Sequence, residues 1–225
     1  MASTVLELPA APPEAAAVFG DRLELAERYG ALLAGAGVER GLVGPREAPR
    51  LWERHLLNCA GLTELLEPGE TVADIGSGAG LPGIVLAVRR DDVEVVLVEP
   101  LLRRATFLSE VVAELGLSHV SVRRARAEEL VGKLTADVVT ARAVAPLDRL
   151  LRWGLPLLHT GGRLLAMKGE QAEAELAAAR PGLRAAGGAS LELVEVGTDA
   201  ELTRSRVIVA VRGSGAVDRR AVARR

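Results

Sequence analysis

A glycine-rich stretch that follows a single acid could bind a nucleotide-like cofactor. Asp74 ends a short apolar run, and Gly76, Gly78 and Gly80 follow at every second position. Glycine lets the backbone approach a ligand where a Cβ atom would collide with it. Pro82 comes next, and proline suits the first turn of a helix. The spacing therefore predicts a strand, a turn and a helix that hold a cofactor at the carboxyl end of the strand.

Two cofactor classes fit this loop. Residues 78–83 match the dinucleotide pattern G-x-G-x-x-G, whereas residues 74–80 match D-x-G-x-G-x-G, the signature of methyltransferases that use S-adenosylmethionine. Pro82 removes an amide that would face a pyrophosphate. The Asp74 carboxylate suits a cationic amino acid, such as the methionine end of S-adenosylmethionine. We therefore favour S-adenosylmethionine over a dinucleotide, and over a glycine-rich turn without a ligand.

A second acid lies at the end of the next apolar run. Residues 93–98 are almost continuously apolar, which is typical of a strand buried on both faces. Glu99 follows this run, 23 residues after Gly76. An acid in this position can accept hydrogen bonds from both ribose hydroxyls of a cofactor. The alternative is a surface acid at the end of a strand.

The residues around the end of the fourth predicted strand narrow the acceptor chemistry. Methylation of an exocyclic amine usually needs a polar-Pro-Pro-aromatic turn, but residues 141–146 read Ala-Arg-Ala-Val-Ala-Pro. Methylation of pyrimidine C5 needs a thiolate, and Cys59 precedes the first strand, where a small core residue is expected. Guanine N7 needs only alignment and electrostatic control. Arg142 could donate to the O6/N7 edge of guanine, contact the cofactor, or pair with Asp74 or Glu99.

These residues come together only if the chain forms a mostly parallel sheet. Apolar runs and breakers predict strands at 71–75, 93–98, 119–124, 136–141, 162–168, 190–196 and 206–212, and helices at 82–90, 101–116, 146–158 and 170–180. Their alternation favours a doubly wound α/β fold. The last two strands are expected to pair antiparallel. We therefore predict a Rossmann-like fold of the class I S-adenosylmethionine-dependent methyltransferases, with a seven-stranded sheet and a helical N-terminal extension.

The chain divides into four predicted regions. Residues 1–13 form a proline-containing, disordered leader, and residues 14–66 form the helical extension, with a break at Gly61. The methyltransferase domain covers residues 67–212. A flexible basic tail follows at 213–225.

Composition bounds the class of protein. The 225 residues, 49% of them hydrophobic, suffice for one α/β domain with an appendage. The single cysteine excludes an intramolecular disulfide. The start lacks the pattern of a signal peptide, and no apolar run approaches the roughly 20 residues of a membrane span. We therefore expect a cytoplasmic protein without a membrane partner. We also expect a monomer without a metal site.

The charge distribution is compatible with a nucleic-acid surface. The net charge of −2 gives no overall basic footprint. Arginines nevertheless cluster, and such clusters can form a phosphate-binding face or a merely solvated surface. The clusters are at 46, 50 and 54, at 103–104, at 123–126, at 204 and 206, and in the tail. Aromatic residues are too few for extensive base stacking.

The motifs together resemble those of a known family, the bacterial small-subunit ribosomal RNA guanine-N7 methyltransferases (RsmG, also called GidB). The resemblance covers about residues 14–212. It rests on Leu51-Trp52-x-Arg54-His55-Leu56-Leu57-Asn58, Asp74-x-Gly76-x-Gly78-x-Gly80-Leu81-Pro82-Gly83, Arg126-x-Glu128-Glu129, Arg142-Ala143 and Met167-Lys168-Gly169, in this order.

The resemblance implies N7 methylation of a guanine in the 530 loop of 16S rRNA, with naked rRNA or the 30S subunit as substrate. It implies that Arg142 and Lys168 act at the reacting centre, and that Arg54, His55 and Arg126 contact RNA. The cofactor-binding residues would be Asp74, Gly76, Gly78, Gly80, Leu81, Glu99, Ala127, Glu128 and Arg142. On the other reading, Lys168 is a solvated strand end and His55 a residue that caps a helix. A class I methyltransferase acting on another RNA or a small molecule, and a non-catalytic or dehydrogenase nucleotide-binding module, remain the alternatives.

Overall fold

A seven-stranded sheet lies at the centre of the chain in this computed structural model, which describes residues 8–197 and 204–215. The strands are β1 (Thr71–Ile75), β2 (Glu94–Val98), β3 (Val120–Arg123), β4 (Ala136–Arg142), β5 (Leu158–Lys168), β6 (Gly188–Val196) and β7 (Ser205–Arg212). Their order in the sheet is β3-β2-β1-β4-β5-β7-β6. Strands β1 to β5 pair in parallel, and β7 is antiparallel to both β5 and β6. The predicted fold class, including the antiparallel final pair, is confirmed.

Helices cover both faces of this sheet. They are α1 (Pro13–Phe19), α2 (Leu23–Leu32), α3 (Asn58–Ala60), α4 (Gly83–Arg89), α5 (Leu102–Leu115), α6 (Leu147–Gly154) and α7 (Ala172–Ala179). Two apolar clusters, one on each face, form the core: one joins the N-terminal helices to α4 and α5, and the other joins α6 and α7 to the sheet. Every helix in the described ranges is too short or too polar to cross a membrane.

The helix predicted at 146–158 is shorter than expected. Helix α6 ends at Gly154, a 3-10 turn covers Leu155–Leu157, and β5 begins at Leu158. Pro156 has no N–H group to continue the helix. The predicted helix therefore included residues 155–158, which belong to the 3-10 turn and to the start of β5.

The N-terminal extension packs onto the sheet domain and shares its core. Residues 52–65 form one irregular helical segment, in which the π-helical stretch Trp52–Leu57 precedes α3 and the 3-10 turn Gly61–Leu65 follows it. The change of helix type at Gly61 is the break expected there. Phe19 of α1 meets the Trp52 ring edge to face, with 6.3 Å between the ring centroids. Of the predicted leader and basic tail, residues 1–7 and 216–225 lie outside the described residues.

The sheet reverses its winding between β1 and β4, and this creates a crevice at their carboxyl ends. The loops that follow these two strands meet there. A Cβ atom added to Gly76 would lie 2.8 Å from Val144 Cγ2, so only glycine permits this approach. Ligands of doubly wound sheets bind at such a reversal, which makes these two loops the place to seek the site.

Candidate functional site

The glycine loop after β1 requires glycine for backbone reasons as well as for packing. Gly76, Gly78 and Gly80 have φ angles of 70°, 59° and 103°, in the left-handed region that other residues rarely adopt. A Cβ atom on Gly80 would lie 2.5 Å from Ile84 Cγ1. A Cβ atom on Gly78, by contrast, would meet only Gly76 O, at 3.8 Å. The loop therefore packs tightly at its two ends and leaves space beside its middle glycine.

Asp74 is a fully buried acid beneath this loop. Its Oδ2 accepts a hydrogen bond of 3.1 Å from the Gly83 amide at the start of α4. Its Oδ1 has no hydrogen-bond partner among the described residues. Burial raises the pKa of Asp74 from 3.8 to about 7, although the bond from Gly83 works in the opposite direction. A buried carboxyl oxygen without a partner is suited to an incoming donor such as an ammonium group.

Glu99 connects the glycine loop to the end of β2. Its Oε2 accepts a hydrogen bond of 3.0 Å from the Gly78 amide, and its Oε1 accepts one of 2.9 Å from the Leu101 amide. Only 3% of its side chain is exposed. Each carboxylate oxygen can accept a further bond, so both can still receive a ribose hydroxyl. Glu99 is thus a buried acid that holds the loop, and the alternative of a surface acid at the end of a strand is wrong.

Tyr29 also supports the glycine loop, although no sequence pattern predicts this role. This fully buried tyrosine of α2 donates a hydrogen bond of 2.9 Å to Ala79 O. Burial is the largest of the effects that raise its pKa well above 10. A lone tyrosine in an amphipathic helix is typical of a core residue, and no local pattern connects it to a loop 50 positions away.

Two residues expected to bind the cofactor follow β3. Ala127 and Glu128 are in a 3-10 turn, Ala127–Leu130. Glu129 Oε2 accepts a hydrogen bond of 3.0 Å from the Arg126 amide. Arg126 precedes this turn and is exposed. Because β2 and β1 lie between β3 and β4, the strand that precedes Arg126 is three strand spacings, about 14 Å, from the strand that ends at Arg142.

Arg142, the last residue of β4, is anchored to the N-terminal extension. Its Nη1 donates to Cys59 Sγ at 3.1 Å, and its Nη2 donates to Arg54 O at 2.7 Å and to His55 Nδ1 at 2.9 Å. Among the described residues Arg142 forms no ion pair with Asp74 or Glu99, the alternative that its position had left open.

His55 and Cys59 lie behind Arg142. His55 Nε2 is 2.9 Å from Glu47 Oε2. Burial first, and the Arg142 charge second, lower the pKa of His55, while Glu47 opposes them. Burial raises the pKa of the Cys59 thiol, so this residue remains a protonated core thiol, as the sequence predicts.

Lys168 ends β5 next to Arg142 in the sheet, and it is not a solvated strand end. Its Nζ donates to Ala145 O at 2.9 Å and to Glu175 Oε2 at 2.7 Å, and 9% of its side chain is exposed. The same Glu175 oxygen accepts a 3.0 Å hydrogen bond from the Leu147 amide. Lys168 and Glu175 together therefore hold the loop between β4 and α6.

A groove of about 1220 Å³ opens beside Arg142 and Lys168. Its cationic side chains are Arg54, Arg142, Lys168, Arg204 and Arg206, and its other lining residues are Glu53, Asn58, Ala143, Val144, Ala145, Pro146, Met167, Gly169, Glu170, Gln171, Glu175 and Ser205. The structure thus brings Arg54, Arg142 and Lys168 together, whereas His55 lies behind the groove and Arg126 apart from it. Within residues 8–197 and 204–215, no group of three or more histidine, cysteine or acidic side chains could hold a metal ion.

Comparison with known proteins gives a consistent result. The family model described as "GidB: rRNA small subunit methyltransferase G" matches residues 22–204. Proteins named ribosomal RNA small subunit methyltransferase G from Streptomyces avermitilis and Streptomyces coelicolor are both 60% identical to this chain, over 85% and 87% of it and over 81% and 82% of their own lengths.

The fold has counterparts among solved structures. That of a SAM dependent methyltransferase from Aquifex aeolicus matches 74% of this chain and 95% of its own, with a TM-score of 0.56 and 19% identity. At this identity the likeness concerns the fold alone.

Proposed function

The chain belongs to the GidB family of small-subunit rRNA methyltransferases, and on that premise we propose that it methylates N7 of one guanine in the 530 loop of 16S rRNA. It is a methyltransferase, and we infer that its methyl donor is S-adenosylmethionine, because residues 74–80 match the D-x-G-x-G-x-G signature. We further propose that it acts as a monomer in the cytoplasm, on naked 16S rRNA or on the 30S subunit.

The residues that we propose to bind the cofactor form a cradle that fits it. When bound, S-adenosylmethionine supplies a methyl group activated by its sulfonium. The unpartnered Asp74 Oδ1 and the open space beside Gly78 suit the amino-acid end of such a molecule. Glu99 retains acceptor capacity for ribose hydroxyls. We assign the remaining contacts to Gly76, Gly80, Leu81, Ala127, Glu128 and Arg142.

The proposal that guanine N7 is the methyl acceptor rests mainly on Arg142. Three of its five N–H groups are used within the protein, which leaves Nε–H and one Nη1–H without a partner in the described part of the chain. Arginine is the side chain that most often recognises the O6/N7 edge of guanine, and in this proposal it donates to O6, which leaves the N7 lone pair free to attack the sulfonium methyl group. N7 carries a free lone pair at neutral pH, so transfer needs alignment of the base and no general base.

The route through a covalent thiolate intermediate lacks support in this site. Cys59 is buried with a raised pKa, and its sulfur accepts a hydrogen bond from Arg142. A pyrimidine C5 acceptor would need this sulfur as a thiolate nucleophile. Guanine N7 therefore fits the residues better than pyrimidine C5.

The groove also provides charge for the RNA backbone. Arg54 and Arg206 line it, with 52% and 40% of their side chains exposed. Exposed arginines of this kind neutralise phosphates and set the register of the nucleic acid. In this proposal Arg126 contacts a different part of the RNA, because it lies apart from the groove.

A class I methyltransferase that acts on another RNA or on a small molecule is the second candidate. The volume of the groove would admit a small acceptor. Its several arginines favour a polyanionic substrate instead.

Methyl transfer from labelled S-adenosylmethionine to 16S rRNA and to 30S subunits that lack the modification tests the proposal. Strand cleavage specific for N7-methylguanine then locates the label. A single cleavage in the 530 loop is expected, on one or both substrates. Transfer to a different RNA, or to free small acceptors only, would refute the proposed substrate and favour the second candidate.

A further inference from the structure

Arg142 is held by acceptors from a neighbouring helical segment, and we propose that Glu47 and His55 are positioning residues that aim its guanidinium at the acceptor base. This inference rests on the proposed function, because it assigns to Arg142 the contact with guanine. The hydrogen bonds run from Arg142 to His55 at 2.9 Å and from His55 to Glu47 at 2.9 Å.

The chemistry of the partners fixes the direction of these bonds. A guanidinium has donors and no acceptor, so His55 Nδ1 must present its lone pair to Arg142 Nη2. The proton of the neutral ring therefore lies on Nε2, which donates to Glu47 Oε2. Glu47 accepts, and its bond selects the one tautomer of His55 that can receive Arg142.

The rest of the environment leaves the guanidinium little freedom. Arg54 O shares Nη2 with His55, and Cys59 Sγ takes one hydrogen of Nη1. All three acceptors come from residues 54–59 of one helical segment. These partners fix the directions of the two remaining N–H groups of Arg142. Arg54 lies at the wall of the groove, and His55 and Cys59 lie outside it.

The same bonds leave His55 without a polar atom for RNA. Both ring nitrogens are engaged within the protein, and 15% of the side chain is exposed. Exposed Arg54, the preceding residue, lines the groove and is the better contact for a phosphate. A role behind Arg142 thus accounts for His55 better than direct RNA binding does.

Two substitutions of His55 test its hydrogen bonds to Arg142 and to Glu47 separately. In His55→Asn the amide oxygen can replace Nδ1 as the acceptor for Arg142. In His55→Gln the amide nitrogen can replace Nε2 as the donor to Glu47, but no acceptor remains near Nδ1. A matched control is His159→Asn, because exposed His159 forms a similar 2.8 Å pair with Asp137 at the other end of β4.

Single-turnover methyl transfer to 16S rRNA is the first readout. We expect the rate to fall about 10- to 100-fold in His55→Gln and in Glu47→Met, which has no acceptor for His55 Nε2, since small misplacements of a positioning group have effects of this size. We expect His55→Asn to retain most of the activity and His159→Asn all of it. At saturating S-adenosylmethionine the loss should persist, which separates it from a weaker contact between Arg142 and the cofactor, and each variant should still unfold in one cooperative transition. Equal losses in the two His55 variants, or a loss confined to RNA affinity, would overturn the proposal.

Nuclear magnetic resonance of ¹⁵N-histidine protein is the second readout and does not depend on activity. The chain has three histidines, and the His55 variants assign the resonances of His55. We expect a neutral ring protonated on Nε2, whose Nδ1 resonance shifts in Arg142→Lys. A ring protonated on Nδ1 would overturn the proposed bonds even if the enzyme is active. Failure of wild-type protein to methylate any rRNA, with the expected tautomer present, would instead overturn the proposed function and retain the bonds.

Discussion

The Gly78 amide donates a hydrogen bond of 3.0 Å to Glu99 Oε2, and this bond joins the loop after β1 to the acid after β2. The carboxylate that is proposed to bind ribose therefore also holds the loop that is proposed to bind the amino-acid end of the cofactor. Loss of its charge should affect both parts of the cradle together.

Glu99→Gln tests this dual role. Glutamine has one acceptor oxygen, and its NH₂ group would face either the Gly78 or the Leu101 amide, leaving a buried donor without an acceptor. Such a loss costs about 1–3 kcal/mol, so we expect affinity for S-adenosylmethionine to fall roughly ten- to hundredfold by calorimetry. The control is Glu94→Gln, at the exposed start of the same strand. Unchanged affinity in Glu99→Gln would contradict the assignment.

The sequence predicted the parts of the site that depend on local patterns. A tight turn after an apolar strand requires glycine whatever the rest of the chain does, because its backbone angles are left-handed. Glu99 follows the next apolar strand in the same way. The topology followed from the alternation of strands and helices. Gly76 and Glu99 could therefore be selected without any knowledge of tertiary contacts.

The contacts that position these groups could not be predicted. Tyr29 meets Ala79 across 50 positions and His55 meets Arg142 across 87, and these pairs depend on how the N-terminal helices dock on the sheet. Docking of this kind is set by the shape of the packed core, which leaves no periodic signal. The family resemblance suggested His55 as an RNA contact, and no sequence pattern gave a role to Tyr29 or Glu47.

Tyr29→Phe tests the support that α2 gives to the glycine loop. The change removes one hydroxyl and leaves Ala79 O without its donor, which costs about 1 kcal/mol or somewhat more. We expect a lower melting temperature and a several-fold weaker affinity for S-adenosylmethionine. Thr63→Val is the matched control, because it removes a buried hydroxyl bonded to Ala60 O at 2.7 Å within the N-terminal extension. Equal melting temperatures with a weaker affinity in Tyr29→Phe only would confirm the link; equal affinities would argue against it.

Lys168→Met tests the anchoring of the loop after β4. The variant removes the donor to Ala145 O and leaves the Glu175 carboxylate without its ammonium partner. We expect methyl transfer to fall at least about tenfold, while affinity for S-adenosylmethionine changes little.

The exposed pair of Arg152 and Asp148 on α6 provides the control for Lys168. Arg152→Met removes a comparable ion pair, one of a kind that contributes little to stability at an exposed site. Transfer should therefore be unchanged in this variant. If Lys168→Met retained full activity, Lys168 would act neither on the loop nor at the reacting centre.

The pH dependence of stability should reveal Asp74. The pKa of this buried acid is about 7 in the folded protein, against 3.8 for an ordinary aspartate. Between these values the folded state holds a proton that the unfolded state has lost, so folding is favoured at low pH. The contribution is fully present below pH 3.8 and is lost as the pH rises through 7, with a limit of about 4 kcal/mol.

Asp74→Asn removes this titration while its amide oxygen can still accept the bond from Gly83. Without cofactor, the melting temperature of the variant relative to wild type should therefore rise from pH 5 to about pH 7 and level off above it, because only wild type must take up a proton to fold below pH 7 and bury a charge above it. Calorimetric scans of both proteins in one buffer series measure this difference, and Asp21→Asn, at an exposed position, serves as the control. A difference in melting temperature between Asp74→Asn and wild type that stays constant from pH 5 to pH 8 would contradict this prediction. It would show that Asp74 is already ionised in the folded protein at pH 5.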